Sequence, residues 1–137
     1  MRPVATILHD IELFQPKKGG NWLALDELLH ELWTEEFPKE ALSPLFRLLE
    51  RFPNDESAGV LWGVLHGIEA YPEYETELVD SLKRRPTDLT VTMAGRIANS
   101  GQKSIAGQPI ASIYQLAINH PKASVEARET AQSFLKN

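Results

Sequence analysis

Three times in this chain a helix-like run of residues is stopped by a proline at an equivalent place. Leu48-Leu49-Glu50-Arg51-Phe52-Pro53 is followed 33 residues later by Ser81-Leu82-Lys83-Arg84-Arg85-Pro86, and after a further 35 by Leu116-Ala117-Ile118-Asn119-His120-Pro121. Proline disfavours helical backbone in the residue before it and has no N–H to donate, so each run ends for a steric reason. Helical periodicity resumes two or three residues later, which predicts pairs of helices joined by short turns. A unit of this size cannot bury its own apolar face, so its recurrence predicts that neighbouring units stack.

The expected fold is therefore all-α: one domain over residues 1–137, built of stacked antiparallel helical hairpins as a short HEAT-like α-solenoid of about eight helices. The first helix is expected from about Pro3 to Phe14, ending at the turn signal Lys17-Lys18-Gly19-Gly20. Asn21 can cap a second, which places Trp22, Leu25, Leu28, Leu29, Leu32 and Trp33 on one face. Ser43 with Pro44 reads as the start of a third that ends before Pro53. Asp55 can cap a fourth, from Glu56 to about Ala70, whose apolar residues Val60, Leu61, Trp62, Val64, Leu65 and Ile68 surround most of its circumference and predict a central position. Gly59, Gly63 and Gly67 form a small-residue stripe on it, expected to face a closely packed neighbour, so that Gly63→Leu would overpack. Later helices are expected over 73–84, 87–99, 109–119 and 122–135, with a loop at 100–107 and no sheet. The second helices of the hairpins, 56–70, 87–99 and 122–135, would line one face.

Charge is unevenly spread along the chain. Residues 1–51 hold six basic and nine acidic side chains, residues 52–82 hold seven acids and no Lys or Arg, and residues 83–137 hold eight basic and three acidic ones, for a net charge of −5. The acidic middle favours a basic partner and would repel nucleic acid or an anionic membrane. Lys83, Arg84 and Arg85 form a small basic cluster, read as closing a helix C-terminus, where the helix dipole favours cations. With no cysteine in the sequence, disulfides, thiolate metal sites and a cysteine nucleophile are excluded, and a cytoplasmic location is expected. The apolar stretch from Val4 to Phe14 is broken by His9, Asp10 and Glu12, which a signal peptide would not tolerate. No run approaches the roughly 18 to 20 apolar residues of a membrane span.

The side chains that could carry chemistry lack the company that catalysis needs. Glu27 and His30 have the Glu-x-x-His spacing of a carboxylate-bridged metal helix, but such a site requires two of these motifs, and His66 and Glu69 run in the reverse order. Neither a phosphate loop nor a nucleophile elbow is present. The expectation is a binding protein, not an enzyme, with no cofactor and no metal. The constellation that stands out is Trp62, His66 and Glu69 at i, i+4 and i+7, followed by Tyr71, Pro72 and Tyr74, with Arg96 and Asn99 near the end of the next second helix. In parallel neighbouring helices Glu69 and Arg96 could meet, either as a polar cluster fixing the packing or as a recognition patch. Glu73, Glu77 and Asp80 are expected to extend such a patch with their charge.

At these residues the sequence resembles the all-helical immunity proteins of bacterial polymorphic-toxin and contact-dependent growth inhibition systems. Leu61-Trp62-Gly63-Val64-Leu65-His66-Gly67-Ile68-Glu69 looks like their Trp-x-x-x-His-x-Ile-Glu helix, and Arg96-Ile97-Ala98-Asn99-Ser100 is similar to their Arg-Ile-x-Asn-Ser helix end. The resemblance covers residues 45–105; residues 1–40 contribute nothing to it. It implies a monomeric antitoxin that binds a cognate toxin domain, such as a nuclease, and blocks its active site or substrate entry. A helical-repeat adaptor without a toxin partner would share the fold and the face.

Overall fold

In the computed structural model, the backbone is described for residues 2–17, 20–34, 39–53 and 59–136. These residues form α1 (Val4–Leu13), α2 (Trp22–Trp33), a single 3₁₀ turn (Lys39–Ala41), α3 (Leu42–Arg51), α4 (Val60–Glu69), α5 (Glu75–Arg84) and α6 (Asp88–Asn99). A two-stranded hairpin of β1 (Ser104–Ile105) and β2 (Gln108–Pro109) follows, then α7 (Ile110–Asn119) and α8 (Val125–Lys136). Of the described residues 72% are helical, and the all-α class holds.

The expected absence of any sheet needs correction. Ser104 lies opposite Pro109 and Ile105 opposite Gln108, joined through Ala106 and Gly107, whose φ values of 47° and 80° are both left-handed. Successive residues with positive φ make the tight turn whose twist suits a hairpin. Ile105 is fully buried, and this pins the hairpin to the helices.

The main helix contacts form two rows. α1, α3, α5 and α7 each touch the next of that series, α2, α4, α6 and α8 do likewise, and α1 with α2, α3 with α4, α5 with α6 and α7 with α8 join the rows. The side chains between the rows make one continuous core, with Ile11, Leu25, Leu45, Phe46, Leu48, Leu61, Leu65 and Leu78 fully buried. The proline stops fall where expected: α3 ends two residues before Pro53, α5 two before Pro86 and α7 two before Pro121.

Local details differ from the sequence reading. The Asn21 side chain does not cap α2; its Oδ1 accepts a hydrogen bond from the Lys17 backbone N–H at 2.6 Å, closing the preceding turn instead. Ser43 and Pro44 lie inside α3, which the 3₁₀ turn starts one residue earlier than expected. The proposed cap Asp55 lies outside the described residues, and α4 begins after Gly59, held at φ 92°. Thr87 does cap α6: its Oγ1 accepts from the Thr90 N–H at 3.3 Å while Thr90 Oγ1 accepts from the Thr87 N–H at 3.0 Å, a reciprocal pair buried in the core.

Helix α4 is also not buried all round. Leu61, Val64, Leu65 and Ile68 face the core, whereas Trp62, Gly63 and His66 face outward. The glycine stripe therefore does not act as a unit. Among the described residues a Cβ at Gly63 would meet nothing within 4 Å, so Gly63→Leu would not overpack against them, but one at Gly67 would overlap the indole of Trp33 on α2. A second close approach of this kind joins Gly95 of α6 to Phe134 of α8, whose ring lies 2.6 Å from where a Cβ would stand.

Candidate functional site

Glu69 is the last residue of α4 and Arg96 lies in the last turn of α6, so the contact between these two helices brings their C-terminal ends side by side. Arg96 Nε donates to Glu69 Oε2 at 2.8 Å. The guanidinium is half exposed, with 49% of the Arg96 side chain open to solvent against 17% for Glu69. The pair thus stands on the surface, where water screens it, and not in the core. The carboxylate raises the pKa of the Arg96 guanidinium through this hydrogen bond, so the cation is fixed in its charged form.

Outward along α4, His66 Nδ1 lies 3.9 Å from Glu69 Oε1, which is proximity without a hydrogen bond. The rings of Trp62 and His66 sit 6.1 Å apart, tilted by 35°. On the other side Tyr74, just before α5, is half buried, and its phenol is pushed above the ordinary tyrosine range first by burial and then by the charges of Glu69 and Glu75. The phenol therefore stays protonated as a hydrogen-bond donor.

These groups surround an open cleft of about 580 Å³, lined by Glu69, Tyr74, Glu75, Arg96, Asn99 and Gln102. Its far wall depends on a turn after α6: Gly101, at φ 97°, reverses the chain so that Gln102 returns toward α5. Gln102 Nε2 donates to Glu75 Oε1 at 2.9 Å and to the Ser104 carbonyl at 2.6 Å. The sequence reading overlooked Glu75 and Gln102; the only local signal was the Ser100-Gly101 helix stop.

Four of the ten expected site residues, Glu69, Tyr74, Arg96 and Asn99, line the cleft, and Trp62 and His66 adjoin it along α4. The other four stand apart from it. Tyr71 packs half-buried against the core beside Trp33 and Gly67, Glu73 and Asp80 are exposed, and Glu77 Oε2 is buried without a hydrogen-bond partner. Of the remaining acids in the middle of the chain, Asp55 and Glu56 lie outside the described residues.

The cleft offers two carboxylates, a guanidinium, a phenol and two side-chain amides to a visiting group, with aromatic surface beside them. Such a set is suited to forming hydrogen bonds in both directions. Among the described residues no three His, Asp or Glu side chains gather as metal ligands would, and no helix is long and apolar enough to cross a membrane. Compared with protein-family models, with curated proteins and with solved structures, the chain matches none.

Proposed function

We propose that this chain is a protein-binding module of the immunity-protein type, a monomer that neutralises a cognate toxin domain by covering its active site or substrate entry. The observation that carries the reading is the open cleft at the ends of α4 and α6. There Glu69 and Arg96 are held by each other, yet they remain accessible, with Trp62 and His66 presented alongside. Core packing does not need an arginine at the surface of a cleft, whereas a rigid, pre-paired polar group flanked by aromatic rings suits recognition of a protein surface. The two rows of helices support a HEAT-like arrangement, in which a face of this kind serves as a grip.

The test is growth rescue. The chain is co-expressed in a bacterium with the C-terminal domain of any large secreted protein whose gene adjoins its own, and where that domain arrests growth, growth is expected to recover. Glu69→Ala and Arg96→Ala should abolish rescue while the circular dichroism spectrum and melting temperature stay close to those of the parent. Rescue that survives both substitutions would remove the cleft from the interface. A genomic neighbourhood with no toxic product would remove the antitoxin reading and leave the adaptor.

A further inference from the structure

At the opposite end of α5 from this cleft, the ends of α3 and α5 and the turn between α7 and α8 meet around a second groove, of about 780 Å³. Its lining is almost wholly cationic, with Glu50 as the only carboxylate among the described residues. Glu50 is already engaged: Oε2 accepts from Ser81 Oγ and from Arg84 Nη2, each at 2.8 Å, and Oε1 accepts from Arg84 Nε at 3.0 Å. Arg84 and Glu50 cancel. Five cations of the lining remain, Arg47, Arg51, Lys83, Arg85 and Lys122, and among the described residues none of them forms an ion pair.

Two of the five carry a more specific signal than charge. Arg51 donates Nη1 to the Ile11 carbonyl at 3.2 Å and Nη2 to the Phe14 carbonyl, so its position is fixed, while its charge is in no ion pair and feels only the longer-range pull of Glu12. Arg85 donates Nη1 to the Glu50 carbonyl at 3.3 Å, but its Nε is buried and has no acceptor. A buried guanidinium N–H without a partner is costly, and an anion that enters the groove would relieve it. His120 is accounted for internally: Nδ1 accepts from the Lys122 backbone N–H at 3.0 Å, so Nε2 carries the proton that it gives to the Lys83 carbonyl at 2.7 Å. The helix dipole explains cations in the last turns of α3 and α5. It does not explain Arg47, more than a helical turn earlier, or Lys122, which lies beyond α7.

We propose that this groove binds a short acidic peptide segment of a partner protein, independently of whether the cleft at Glu69 and Arg96 binds a toxin. Carboxylates match the guanidinium forks of Arg47, Arg51 and Arg85, and the groove spans three successive helix ends, so an extended segment meets cations along its length. A nucleic acid strand fits less well. Among the described residues the lining offers one ring, the His120 imidazole, too few for successive bases to stack on, and a strand leaving the groove would run over a protein of net charge −5.

The probe is a rhodamine-labelled hexaglutamate peptide, titrated with the full chain at low salt and read by fluorescence anisotropy. Saturable binding that weakens with added salt is expected. The combined variant Arg47→Glu, Lys83→Glu, Lys122→Glu changes exposed side chains and should weaken binding by about tenfold or more. A variant of equal net charge, Lys17→Glu, Lys103→Glu, Lys136→Glu, should bind as the parent does, and so should Glu69→Ala, which separates this site from the cleft. Arg85→Gln, which removes the charge and the buried N–H, should weaken binding while the circular dichroism spectrum stays helical. The proposal is overturned if the two charge-matched variants lose binding equally, if the parent does not bind the peptide, or if hexathymidylate binds more tightly than the peptide.

Discussion

Gly63 and Gly67 differ by one helical turn, yet the structure assigns them opposite responses to the same substitution. Gly67→Ala places a methyl group into the rigid indole of Trp33 and should destabilise by about 1–3 kcal/mol. Gly63→Ala meets open space among the described residues and should stabilise by up to about 1 kcal/mol through helix propensity. Paired urea denaturation curves check both, and equal effects would mean that α4 is rotated from the orientation described. Tyr74 offers a spectroscopic test of the cleft. Its pKa in the fold is raised, so its contribution to stability is present below the ordinary tyrosine range and is lost as pH climbs through the folded value. Glu69→Gln removes one of the charges holding the phenol protonated, so the difference in 295 nm absorbance between this variant and a Tyr74→Phe background should show Tyr74 titrating at lower pH than in the parent. Tyr114, whose pKa is raised by burial alone, should not move.

Among the elements, the helices were legible and their neighbours were not. A proline stop and a resumed period are encoded within a few residues, and α3, α5, α6 and α7 end or begin where those signals stand. Thr87→Ala should cost about 1–2 kcal/mol, measured by thermal or chemical unfolding, because it breaks a buried reciprocal cap. The strands escaped notice because two residues each are too few for a period to show. The glycine stripe was misread because spacing reveals which residues share a helix face, but not what stands opposite them. The same distinction divides the candidate site. Glu69 and Arg96 could be paired from equivalent positions on neighbouring helices, whereas Glu75 and Gln102 are joined by the left-handed turn at Gly101, a tertiary event.

At the level of the whole molecule, the acidic middle of the chain is less uniform than its charge count suggests. Glu73 and Asp80 are exposed and free to steer a basic partner, whereas the buried oxygen of Glu77 makes its replacement a perturbation of folding as well as of charge. Glu73→Lys with Asp80→Lys should keep the helical spectrum, slow association with a basic partner by about tenfold at low salt, and flatten the salt dependence of the rate, as stopped-flow measurements would show. An association rate indifferent to both changes would place the encounter surface elsewhere.

Because each helix leans mainly on its immediate neighbours, the molecule need not open all at once. Only Ala127 and Ala131 of α8 are fully buried, whereas α3 buries four leucines and a phenylalanine. Amide hydrogens of α8 should therefore exchange with solvent deuterium through a local opening that leaves α3 protected, and the free energies of exchange should rise from the last helix towards the middle of the stack. When α8 lifts, Phe134 leaves its seat over Gly95 and the floor of α6 is bared, so an event that clamps the last helix would stiffen the helix that carries Arg96 without touching it.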